Sequence, residues 1–91
     1  MNLEGLPGFE LIRQGLEDLG AQRESASSLL ILIGAPRLRR IGLTVDSSRE
    51  TFPEHRLYEI LSLEDSDSAH SRYNAFVRQL VSFERAAECA F

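Results

Sequence analysis

The sequence predicts an all-α fold: a small bundle of four to five helices that ends in a long C-terminal amphipathic helix, with one domain over residues 1–91. Along most of the chain, apolar residues recur at spacings of three and four, the period at which a helix buries one face. Each proline stands before or at the start of such a stretch, where its missing N–H costs no helical hydrogen bond. With 43% hydrophobic and 26% charged residues, the composition is that of an ordinary globular domain.

The first helix is predicted over residues 7–20. Its apolar face consists of Phe9, Ile12, Leu16 and Leu19. Pro7 suits the first helical position, and Gly20 suits the end of the helix. Gly15, in the middle, costs about 1 kcal/mol relative to alanine, so its presence indicates a close contact with another helix.

Residues 25–42 allow two interpretations, of which we favour two short helices. The candidate N-caps of the first are Ser25, Ser27 and Ser28. This helix is expected to end at Gly34, and Pro36 then opens the second. The positions expected on the buried faces are Ala26, Leu29, Leu30 and Ile33 in the first helix, and Leu38 and Ile41 in the second.

The alternative interpretation is an α+β fold with a two-stranded sheet formed by residues 29–33 and 40–45. A run of five apolar residues bounded by serine and glycine is also typical of a buried strand, and periodicity alone cannot assign it. In the second segment Ile41, Leu43 and Val45 alternate with other residues, as in a half-buried strand.

Two more helices follow a connecting loop at residues 43–52. One opens at Pro53, runs to about Leu63 and faces the core with Leu57, Ile60 and Leu61. A polar break at residues 64–68 separates it from the last helix, which begins near Ser68 and is about 34 Å long. The last helix carries the clearest pattern of the chain, an apolar seam made of Ala69, Tyr73, Phe76, Leu80, Phe83, Ala87 and Ala90.

The apolar seam is longer than the core of such a small domain requires. Small domains often supplement a modest core by associating with another chain. Part of the seam is therefore predicted to be an interface, made of Tyr73, Phe76, Leu80 and Phe83.

A polar stripe on the same helix is the first candidate binding surface. It comprises His70, Arg72, Asn74, Arg78 and Arg85. Arginines can bind an anion or a partner, and histidine can carry a proton near neutral pH. The simpler interpretation is the solvated side of an amphipathic helix, with arginine stems covering apolar neighbours.

An arginine cluster, formed by Arg37, Arg39 and Arg40, is the second candidate binding surface. Three arginines at the start of a helix could contact phosphates. The net charge of −4 argues against a nucleic-acid partner, and residues 46–67 alone carry seven acids against two arginines. Salt bridges from the arginine cluster to this acidic segment, within the molecule or across a subunit boundary, are therefore the favoured interpretation.

No catalytic residue, metal site or cofactor is expected. The only two histidines, His55 and His70, do not stand at a metal-ligand spacing. Cys89 has no second cysteine, so we expect it to be a buried or semi-buried small hydrophobic residue. No signal peptide is recognisable, and the longest apolar run, Leu29–Ile33, is too short to span a membrane. We expect a cytoplasmic protein without membrane contact.

These observations favour a non-enzymatic protein–protein interaction module, a self-associating adaptor or regulatory subunit of a bacterial cytosolic complex. The ten arginines without one lysine are what a GC-rich genome would encode rather than a sign of particular chemistry. The expected partner is a second copy or a larger protein. The first alternative is a small DNA-binding regulator or antitoxin that uses the arginine cluster. The second is a small hydrolase or nuclease that uses His70, Arg72 and Arg78.

Overall fold

A computed structural model of the chain describes residues 3–45 and 52–90, and the side chains up to Cys89. Its helices are α1 (Phe9–Gly20), α2 (Ala26–Ile33), α3 (Ala35–Arg40), α4 (Pro53–Glu64) and α5 (Ala69–Ala90). These ranges contain no strand, which confirms the all-α prediction with its long last helix. The alternative two-stranded sheet is wrong, because residues 29–33 lie in α2 and residues 40–45 end α3 and continue as an irregular segment.

The N-terminus of α2 explains why this segment is a helix. The Ser25 hydroxyl accepts from the Ser28 backbone N–H at 3.1 Å, and the Ser28 hydroxyl accepts from the Ser25 N–H at 2.8 Å. This reciprocal cap satisfies two N–H groups that a helix start leaves unpaired, and no strand would use it. Of the candidate N-caps, Ser25 is the one used.

The body of α2 is buried on all sides rather than on one face. Leu29, Leu30, Ile31 and Leu32 are all buried, whereas Ile33, which we expected inside, is partly exposed. A helix that is apolar around its circumference belongs in the middle of a bundle. Accordingly α2 packs against α1 and α4, and also contacts α3 and α5.

Helix α1 begins later than predicted and ends where it was predicted to end. The helix begins at Phe9 and not at Pro7, because Gly8 adopts a left-handed backbone with φ of 77° that interrupts the helical path. It ends at Gly20 as predicted, and the left-handed residue that turns the chain is Gln22, with φ of 62°.

Gly15 confirms the predicted close helix contact. A Cβ atom at this position would lie 2.4 Å from the backbone oxygen of Ser27 and 2.5 Å from Cγ1 of Ile31. No side chain fits in this space, so α1 and α2 are in backbone contact at Gly15.

The core lies around α2 and the C-terminal half of α5. Its largest fully buried side chains are Phe83, Ile12, Leu30, Ile31, Leu38, Leu57 and Leu61. Helix α4 begins at Pro53 as predicted and contributes Leu57 and Leu61, while Ile60 is only partly buried. Among the described residues, no helix has the length and hydropathy needed to cross a membrane.

Candidate binding groove

A groove separates the junction of α2 and α3 from the C-terminal half of α5. It has a volume of about 300 Å³ and is lined by Ile33, Gly34, Pro36, Arg37, Val77, Leu80, Val81 and Glu84. Gly34 allows α5 to approach, because a Cβ atom there would lie 2.8 Å from Cδ1 of Leu80. The walls are mainly aliphatic, and one carboxyl group lies among them.

That carboxyl group belongs to Glu84, whose side chain is only 3% exposed. Its Oε1 lies 3.4 Å from Nη1 of Arg37. Its Oε2 is buried and has no hydrogen-bond partner among the described residues. Burial raises the pKa of Glu84 above its ordinary value, and the nearby charge of Arg37 opposes this effect. A buried oxygen without a partner is uncommon in folded proteins and needs an explanation.

Arg37 holds this part of the groove together. Its Nε and Nη2 atoms donate to the two carboxylate oxygens of Glu88 at 3.0 and 3.1 Å. These bonds lower the pKa of Glu88. The Arg37–Glu84–Glu88 cluster thus contains one cation and two carboxyl groups, and its formal charge with both ionised is −1. Arg37 satisfies Glu88 fully and Glu84 only in part.

The arginine cluster predicted from the sequence does not act as one surface. Arg37 pairs with carboxylates of α5 rather than with the acidic segment, of which residues 46–51 lie outside the described ranges. Arg39 donates from Nε and Nη2 to the backbone oxygen of Val45 at 2.9 and 2.7 Å, and Arg40 is exposed. At about 100° per residue, Arg37 and Arg39 lie about 200° apart around the helix axis. Arg37 and Arg39 therefore do not form a shared phosphate site.

The first part of the polar stripe lies beside α4. Nδ2 of Asn74 is 3.2 Å from Nε2 of His70, and the His70 ring is 6.4 Å from the ring of Tyr58. Tyr58 also contacts Tyr73, at 5.7 Å between ring centroids. Arg72 instead forms a salt bridge of 3.0 Å with Glu64.

The remaining members of the polar stripe, Arg78 and Arg85, are exposed on α5. His70 and Arg72 have different contacts, and the helical period places them about 200° apart around α5. Arg78 forms no ion pair within the part of the chain that the structure describes. The structure therefore does not gather His70, Arg72 and Arg78 around one point.

The four predicted interface residues lie at two depths. Phe83 and Leu80 are 0% and 3% exposed and belong to the core of this chain, whereas Tyr73 and Phe76 are partly buried. The apolar side chains of α5 that reach the surface of the groove are Val77 and Val81. Sequence reasoning missed them, although two valines four residues apart are a recognisable helical pair.

Glu84 was not assigned to either candidate binding surface. Its signal in the sequence is its position directly after Phe83 and four residues after Leu80, which places an acid at the edge of the apolar seam. Cys89 is exposed, so its expected burial is wrong: it lies beyond the last core position of α5, Ala87. In residues 3–45 and 52–90, no three histidine, cysteine or acidic side chains are arranged to hold a metal ion.

Comparison with known proteins adds no family to this description. The sequence matches no protein-family profile, no curated protein and no solved structure. The groove on α5 is therefore the feature from which a function can be inferred.

Proposed function

We propose that this chain is a non-enzymatic protein–protein interaction module that self-associates through the side of α5 that borders the groove. The observation that carries this proposal is the groove itself: an aliphatic surface at Val77 and Val81 lies beside a buried carboxyl oxygen that lacks a partner. Apolar surface and unpaired acceptors both become more stable when a complementary protein surface covers them.

A second copy of the chain is the partner that this surface fits. The groove is at the lower limit of the volume that small-molecule sites usually have, about 300 Å³. An aliphatic strip on one helix can pack against the same strip of a second copy, as in an isologous two-fold contact. In the cell, we propose that the dimer serves as an adaptor or regulatory subunit of a bacterial cytosolic complex.

The proposal is tested by the mass of the protein in solution over a wide concentration range. We expect light scattering to show a monomer at low concentration and a dimer at high concentration. Val81→Asp places a charge in the centre of the surface and is expected to raise the dissociation constant by about tenfold or more. A wild-type protein that stays monomeric throughout contradicts the proposal.

Leu63→Asp is the matched control. Leu63 is 79% exposed on α4 and lies outside the groove. Its replacement by aspartate adds the same charge at an apolar position away from the proposed contact. We expect this variant to dimerise like the wild type. Equal weakening by both substitutions would place the contact elsewhere or indicate a general effect of charge. Circular dichroism of each variant checks that the helices are retained.

A further inference from the structure

We draw no further inference here: the strongest candidate, the buried Glu84 carboxyl group at the groove between the α2–α3 junction and α5, belongs to the site already described, and nothing in the structure shows which residues of a partner would cover it.

Discussion

Asp18 and Glu84 are two buried acids that the same fold treats in opposite ways. Oδ2 of Asp18 accepts from the Ser25 hydroxyl at 2.7 Å, and Oδ1 accepts from Gln14 at 2.9 Å and from Arg23 at 3.0 Å. These bonds, led by that from Ser25, lower the pKa of Asp18. Glu84 has one ion pair and an unpartnered oxygen, and burial raises its pKa.

The surroundings of the two acids differ in the same way. Near Asp18, α1 and α2 are packed against each other at Gly15 with no room for a side chain. Near Glu84, the contact at Gly34 is flanked by the groove. The chain satisfies its own polar groups where helices must be held together, and it leaves a hydrogen-bonding group unused where we propose that a partner binds. A buried acid is therefore informative through its missing partners more than through its burial.

The largest expected effect on stability is at the closed contact. Gly15→Ala places a Cβ atom 2.4 Å from the Ser27 backbone oxygen, so α1 and α2 must move apart. We expect the free energy of unfolding to fall by about 1–3 kcal/mol, the usual cost of overpacking. Urea denaturation measures this change.

Gly20→Ala is the control for this substitution, because no heavy atom lies within 4 Å of the Cβ position at Gly20. We expect it to be neutral or to stabilise the protein by up to about 1 kcal/mol, through the smaller entropy of the unfolded chain. Equal destabilisation by both variants would show that Gly15 is not a tight contact.

The next effect concerns the cap that satisfies Asp18. Ser25→Ala removes the acceptor of the Ser28 N–H and the donor to Oδ2 of Asp18. We expect a loss of about 1–2 kcal/mol in the free energy of unfolding, the range of a lost N-cap. Thermal and urea unfolding both measure it. Ser27→Ala is the matched control, for which we expect a change within about 0.5 kcal/mol.

The smallest effect is the dependence of stability on pH that the burial of Glu84 causes. Because the pKa of Glu84 is raised in the folded chain, its stabilising contribution is complete below the ordinary carboxyl pKa and is lost as the pH rises through the raised value. Glu84→Gln removes this loss. We therefore expect the stability of the variant relative to the wild type to increase as the pH rises through this window.

Glu88→Gln provides the opposite case on the same helix. The pKa of Glu88 is lowered by Arg37, so its contribution is present above the ordinary carboxyl pKa and disappears as the pH falls through the lowered value. Unfolding is measured for both variants at concentrations too low for association. A Glu84→Gln profile that runs parallel to that of the wild type at every pH would argue against the burial effect.

Most of the helices of this protein could be predicted from local sequence signals. A helix is specified by neighbours three and four residues apart, and such signals are complete within a short segment: the serine cap of α2, the break at Gly34 and Pro36, and the apolar seam of α5. The serine cap decided the case of residues 29–33, which periodicity left open between helix and strand.

Which surfaces remain exposed depends on the packing of distant segments. It buried Leu80 and Phe83 in the core of the chain, and it left Val77 and Val81 at the groove. It also paired Arg37 with Glu88, which lies 51 residues later in the chain. Burial and pairing depend on contacts between distant segments. A periodic sequence pattern shows where apolar and charged residues lie along a helix, and it does not show which other segment covers them. For this reason the candidate site on Glu84 became visible only once α3 and α5 were placed side by side.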